Sequence, residues 1–323
     1  MFPVLSFDLG PLTIYVFGLI LAIGALMSLW MLSQGEKRME IRPGSASGAL
    51  LISGLCGFAL SKLTYSALNF SRLFFDEIEG TWLGLSPLLD IGRGGHSVYG
   101  FITGAIFGLL LFAKLTKQEK GRVFGWAAVP LGVFLCAVFL SQIAGGSGYG
   151  EEAAPFLQFI PMSVQNLYGE WNAAVFFYEA LWTLMLTLWL KHEKKVFTHP
   201  GNRMLMLLIP LCSLQIFFES LRQDDYPRLE NNAFIRTNQL LALIILIVIL
   251  ILMFKQLNRA QWSVSVAALL LSAAVFVAAE FWEKLPMPKE ALYAASFVMA
   301  LLLSCIWLNG LLKTDIQADL RDL

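Results

Sequence analysis

Charge is scarce in this 323-residue chain: 14% of its residues are charged, where a soluble domain carries roughly a quarter. That excludes an ordinary water-facing globule, and a 57% apolar content places the chain in lipid. Cysteine is sparse too. Cys56, Cys136, Cys212 and Cys305 all fall in apolar runs without C-x-x-C spacing, and the three histidines are not clustered. Neither a disulfide framework nor a metal centre is expected, and no cofactor. Ser-His-Asp, P-loop and zinc signatures are missing, and no nucleic-acid partner is expected. The first ten residues hold Asp8 and no basic group, so the first apolar run is expected to be retained, not cleaved as a signal peptide.

What is abundant is long apolar runs. They cover 12–32, 49–68, 97–113, 124–145, 173–190, 204–221, 239–254, 262–282 and 291–312, each long enough to approach or cross a hydrocarbon core of roughly 30 Å. They lack the period-two alternation of barrel strands, so the expectation is an all-α polytopic membrane protein of about nine transmembrane helices. The connecting loops are asymmetric. Odd-numbered loops and the C-terminal tail carry fifteen Lys and Arg, even-numbered loops seven. The positive-inside rule then places the N-terminus outside the membrane and the C-terminus in the cytoplasm. The long even loops carry Trp82, Tyr149, Tyr168, Trp171 and Tyr226, residues suited to an interfacial belt. The last two runs read as an appended hairpin.

An ionisable side chain inside a span is costly, so each has a purpose, structural or functional. Lys62 and Glu179 lie at matching depths, each about 10 Å below the outer end of its span at 1.5 Å per residue, and are expected to neutralise each other. Gln215, Glu219 and Arg222 stack on one helical face at i, i+4 and i+7. Glu219 with Arg222 reads equally as a structural ion pair or a functional one. His96 and Tyr99, at i and i+3, are expected to share a face at the start of the third span, and Gln239 opens the seventh. Tyr65, Tyr99 and Tyr178 also suit interfacial anchoring. Gly100, Gly104 and Gly108 form a small-xxx-small ridge best read as helix packing. The glycines at 145–150 fit either a re-entrant turn or a plain linker. Cations, carboxylates, a histidine and a phenol in one layer suit an anionic lipid headgroup.

The order of these segments resembles the bacterial prolipoprotein diacylglyceryl transferase family over roughly residues 8–258, seven of the nine spans. Leu9-Gly10-Pro11 with Val16-Phe17-Gly18-Leu19 is similar to the family's G-P-…-Y-G-L start. Lys62-Leu63-Thr64-Tyr65 is similar to R-x-G-Y, and Gly94-Gly95-His96-Ser97-Val98-Tyr99-Gly100 to G-G-x-x-x-H-G-G. Tyr178-Glu179 resembles the end of R-H-P-x-Q-L-Y-E, Glu219-Ser220-Leu221-Arg222 resembles E-x-x-R, and Thr237-Asn238-Gln239-Leu240 resembles G-Q-x-L. The resemblance implies a seven-helix core over 1–258, with 259–323 an additional two-helix hairpin and tail. It also implies transfer of a diacylglyceryl group from phosphatidylglycerol, or another anionic lipid, to the cysteine of a preprolipoprotein signal peptide.

The chain departs from the family's pattern at four places. Tyr99 stands where the family has its proposed catalytic histidine. No arginine occurs in Val138–Gly146, Asn172-Ala173-Ala174 replaces R-H-P, and Gln215 replaces an arginine. The residues expected to carry the reaction are His96 as a shifted base, Tyr99 and Glu179, with Lys62, Arg222, Glu219, Gln239 and Arg93 at the headgroup. The alternatives are a non-catalytic paralogue binding anionic lipid or a lipoprotein, and a small-molecule transporter.

Overall fold

A computed structural model of the chain describes residues 4–10, 12–75, 81–82, 84, 88, 95–192, 199–223, 236–253, 259–280, 294–295 and 297–308. The described part begins with an antiparallel hairpin, β1 (Ser6–Leu9) and β2 (Leu12–Tyr15), with Gly10 at φ 63° between the strands. The first helix, α1 (Val16–Gly35), therefore starts later than the apolar run at 12–32 implied. Leu12-Thr13-Ile14-Tyr15 is rich in the β-branched and aromatic side chains that favour pairing, and Thr13 Oγ1 donates to Asp8 Oδ1 across the hairpin at 2.7 Å.

Helix α2 (Ser45–Leu68) begins where the Glu36 carboxylate accepts from the Gly44 and Ala46 N–H groups at 2.9 and 2.8 Å. That satisfies donors an isolated helix start leaves unpaired. After short α3 (Phe70–Phe74), Ser97 caps α4 (Val98–Thr116), its hydroxyl accepting from Gly100 N at 3.1 Å. Helix α5 (Lys120–Gly145) ends in left-handed Gly146, φ 69°, as C-terminal glycines commonly do. A second hairpin, β3 (Ser163–Gln165) with β4 (Trp171–Ala173), leads to α6 (Val175–His192) and α7 (Asn202–Ser220). Then come α8 (Thr237–Met253), α9 (Arg259–Glu280) and α10 (Phe297–Leu308).

Five of these helices, α1, α2, α4, α5 and α7, have the length and composition to cross a bilayer, and shorter apolar helices include α8 and α10. With no closed sheet among the described residues, the protein is an all-α, multi-pass membrane protein. Its membrane-facing side chains are large and apolar: Leu26, Trp30, Leu51 and Ile251 are all exposed.

Two tight helix pairs organise one side of the bundle: α2 packs along α4, and α1 along α5. The first is the glycine ridge at work. A Cβ on Gly100 would meet Leu60 O at 2.9 Å, one on Gly104 the Gly57 Cα at 2.8 Å, and one on Gly108 the Ser53 Cα at 2.6 Å. The ridge lets two backbones touch, as small-residue stripes do in membranes. Helices α1 and α2 contact each other far less than either contacts its partner. On the opposite side α7 packs against α5, α6 and α8. Phe297 of α10 sits 5.2 Å from Phe217, and Leu303 and Trp307 join the main core, so the C-terminal helices lie against the bundle.

The glycines after α5 are not a plain linker. Gly148 O accepts from Phe176 N at 2.9 Å, and Gly150 N donates to Ala173 O at 2.8 Å, tying the connection back onto α6 and β4. Tyr178 pins the same connection by donating to Met162 O at 2.7 Å. Tyr149, expected in an aromatic belt, is instead buried against Phe176. Burial pushes its phenol up to about 12. Tyr168 and Trp82 are exposed, Trp82 stacking on Phe74 at 5.6 Å, and Tyr226 lies outside the described residues.

Candidate functional site

The polar groups that interrupt the apolar helices meet at one end of the bundle, between the start of α4, the end of α5, the start of α6, the end of α7 and the start of α8. Glu179 is 1% exposed, Glu219 0% and Arg222 5%. Arg222 donates to Glu179 Oε2 at 2.5 Å and to Gln142 Oε1 at 2.6 Å, and its Nε lies 3.7 Å from Glu219 Oε2. Gln215 spans the two carboxylates, donating to Glu179 Oε1 at 2.5 Å and to Glu219 Oε2 at 3.1 Å. Asn238 Nδ2 reaches Glu219 Oε1 at 3.2 Å. Gln239 does not touch the carboxylates: it accepts from Arg236 N at 2.9 Å and donates to Ile216 O at 3.3 Å, fixing α8 to α7.

This arrangement corrects the expected partner of Glu179. Both of its oxygens are taken, one by Gln215 of α7 and one by Arg222 just beyond the end of that helix. Lys62, 6% exposed, instead acts on His96. Depth along a span sets height in the membrane; it does not say which neighbour a residue faces around the bundle.

His96 and Tyr99 also do not share a helical face. The helix starts at Val98, and Ser97 is extended at φ −89°, ψ 121°, so the i, i+3 rule does not apply across it. The His96 ring packs 4.9 Å from Phe58 of α2. Its pKa is lowered by burial and then by the Lys62 charge, so the neutral imidazole is favoured. Tyr99 turns the other way. It is 1% exposed, which removes it from an interfacial role, and it lies within electrostatic reach of Cys212, Glu179, Glu219 and Arg222. Its hydroxyl has no hydrogen-bond partner among the described residues.

Arg93 lies outside the described residues. Arg236 was legible only as a loop cation, yet it is buried and its guanidinium donates to the Arg222 carbonyl. Its place just before Thr237, at the start of a buried span, was the available signal. Chemically, the cluster offers two carboxylates, a guanidinium they hold, and a phenol with hydrogen-bonding capacity to spare. Such buried networks work when fully satisfied, and an unmade bond in one is costly. No group of three or more candidate metal ligands occurs among the described residues.

The family profile for prolipoprotein diacylglyceryl transferase matches residues 3–255. The chain is 23% identical over 254 residues to a protein of Oceanobacillus iheyensis named phosphatidylglycerol–prolipoprotein diacylglyceryl transferase, covering 76% of this chain and 85% of that one. A protein of the same name from Bacillus velezensis is 23% identical over 255 residues, 77% of this chain and 90% of the relative. One from Bacillus cereus strain G9842 is 25% identical over 226 residues, 68% and 80% of the two chains. With a match over most of its length, this transferase-like multi-pass membrane protein belongs to the prolipoprotein diacylglyceryl transferase family.

Proposed function

We propose that the protein transfers the diacylglyceryl group of phosphatidylglycerol to the cysteine thiol of a preprolipoprotein, in a bacterial cytoplasmic membrane, with its N-terminus outside and C-terminus in the cytoplasm. Residues 1–258 form the transferase unit and 259–323 an added hairpin and tail. The observation that carries this reading is the Tyr99 hydroxyl, buried among apolar helices within electrostatic reach of Glu179, Glu219 and Arg222 and without a hydrogen-bond partner among the described residues. A donor left unmade in that setting costs about 1–3 kcal/mol, and a substrate oxygen removes the cost.

In the reaction the thiol proton passes to a base, a sulfur–carbon bond forms to the glyceryl carbon, and the carbon–oxygen bond to phosphate breaks. Glycerol phosphate leaves with the electron pair. His96 is suited to take the proton because its neutral form is favoured. Tyr99 donates to a phosphate oxygen. Lys62 and Arg222 balance phosphate charge, with Arg93 as a further cation, while Glu179, Glu219 and Gln239 set the position of Arg222 and α8.

A second reading has its own support: Arg222 is already held by Glu179, so a phosphate must compete for it. A relative that binds anionic lipid or a lipoprotein without reacting would keep such a closed pair. Purified protein in phosphatidylglycerol bilayers, given a lipoprotein signal peptide, separates the two. Thiol lipidation is expected, with His96→Gln lowering the rate by a factor on the order of 10²–10⁴ and Tyr99→Phe by less. No lipidation by the intact protein leaves the binding relative as the correct reading.

A further inference from the structure

The connection between α5 and α6 has two unlike sides. Val164 packs inward against the cluster of Tyr149, Ala174 and Phe176, while Phe156, Phe159 and Ile160 are 78%, 49% and 76% exposed. Hydrogen bonds hold them in that state. Ser163 donates its N–H to Phe159 O at 3.0 Å and its hydroxyl to Leu157 O at 2.7 Å, and Gln158 Nε2 donates to Ala153 O at 3.0 Å. The segment closes on itself and leaves three large apolar side chains uncovered within one short stretch. A surface of that kind marks a place where something apolar binds.

The position of the segment says what that partner is. Its Met162 carbonyl accepts from the Tyr178 hydroxyl at 2.7 Å and from Ala174 N at 3.0 Å. Tyr178 lies in the first turn of α6, about 5 Å along the helix from Val175 at 1.5 Å per residue. Leu181, Met185 and Leu188 follow it at i+3, i+7 and i+10, on one helical face, and all three are exposed. That face is turned to lipid. Met162 therefore lies over the lipid-facing side of α6, and the exposed apolar surface at Phe159 and Ile160 continues that of the helix. Charge points the same way. No Lys, Arg or His occurs between Arg122 and Lys191, and the acidic Glu151, Glu152 and Glu170 gather around a polar pocket with Asn172 and Gln223 instead.

We infer that Phe156, Phe159 and Ile160 enter the lipid surface beside α6, docking this connection on the leaflet at the polar-cluster end of the bundle. The contact is apolar, so it takes zwitterionic and anionic lipids alike. Side chains that dip into the boundary between headgroups and acyl chains bind in this way, through buried apolar area. The docking is independent of the proposed transfer and needs no reaction.

The full chain in phosphatidylcholine nanodiscs would carry an environment-sensitive fluorescent amino acid at position 160, with a nitroxide near the top of the acyl chain of some lipids as the quencher. Quenching at 160 should exceed several-fold that of the same probe at position 152, where Glu152 lines the polar pocket. Phe156→Ser combined with Phe159→Ser, both at exposed positions, should lower the quenching at 160 by half or more. Replacing part of the phosphatidylcholine by phosphatidylglycerol should leave it unchanged. Equal quenching at 160 and 152 in the otherwise intact chain, or undiminished quenching in the double serine variant while it remains monodisperse, would overturn the inference. Quenching that appears only with phosphatidylglycerol would overturn it as well, and weak quenching at 160 with two copies of the chain per nanodisc would give the surface to a second copy instead. Transfer activity is read in none of these measurements, so loss of the proposed reaction and loss of the docking are separately visible.

Discussion

Helices α1 and α7 are nearly the same length, 20 and 19 residues, yet 72% of the apolar window of α7 is buried inside the protein and only 17% of that of α1. The more buried helix is the less hydropathic of the two. In water that ordering would be backwards. In lipid it follows from the solvent: tails are as apolar as leucine, so an apolar face gains little by turning inward, while a polar face gains a great deal. Gln215 and Glu219 are what draw α7 to the centre. Helix α1, whose buried residues are Gly24, Ser28 and Leu32, is left at the rim.

The largest effect should come from cutting the centre. Arg222→Met strands Glu179 and Glu219 together in a buried site and should cost about 3–5 kcal/mol, measured by unfolding in detergent or nanodiscs. The paired Arg222→Gln and Glu179→Gln change removes one charge of each sign and should recover most of that loss. A double variant no better than the worse single one would mean that the pair does not hold the helix in place.

Gly104→Leu tests whether backbone contact, rather than polarity, holds the other side together. Its side chain would meet the α2 backbone at Gly57, and overpacking of this kind costs about 1–3 kcal/mol. A variant as stable as the parent would show that α2 and α4 can separate freely.

A smaller, pH-dependent effect is expected from His96. Its folded pKa lies below the ordinary 6.5 because burial and Lys62 both disfavour the imidazolium. The unfolded chain therefore binds more protons as pH falls. The stability tied to the neutral ring is complete above pH 6.5 and is lost as pH drops through the folded value. Unfolding midpoints across this range should fall toward acid in the parent, with a shallower slope in His96→Gln. Least of all, Leu26→Ala on the exposed face of α1 should change stability by no more than about 0.5 kcal/mol. A large loss there would mean that α1 has a protein partner on that face.

Much of this was readable from the chain. Apolar runs located the helices, and the cost of buried charge singled out Glu179, Glu219 and Arg222. The glycine ridge and the ordered family motifs pointed to packing and kinship. Angles around the bundle were not readable. Lys62 was matched to Glu179 by height alone, and His96 to Tyr99 by a helical spacing that Ser97 interrupts. The strand Leu12–Tyr15 was absorbed into a span because four apolar-rich residues beside a helix carry no period of their own. Arg236 was counted with the loop cations, since a positive-inside tally records only sign and side.

The backbone at Arg222 is paired to Gly150 in an isolated antiparallel bridge, and the next residue, Gln223, donates its N–H to Tyr149 O at 2.8 Å. The arginine is thus hung from main chain on a segment more than seventy positions earlier, by bonds that belong to no side chain. Trimming side chains along that segment leaves these bonds standing. Two glycines are exceptions: a Cβ on Gly150 would strike Leu221 O at 2.7 Å, and one on Gly148, at φ 80°, would strike the Gln142 Oε1 that accepts from Arg222. A methyl group on a residue with no chemistry of its own would move the guanidinium, and a catalogue of reactive side chains would never name its cause.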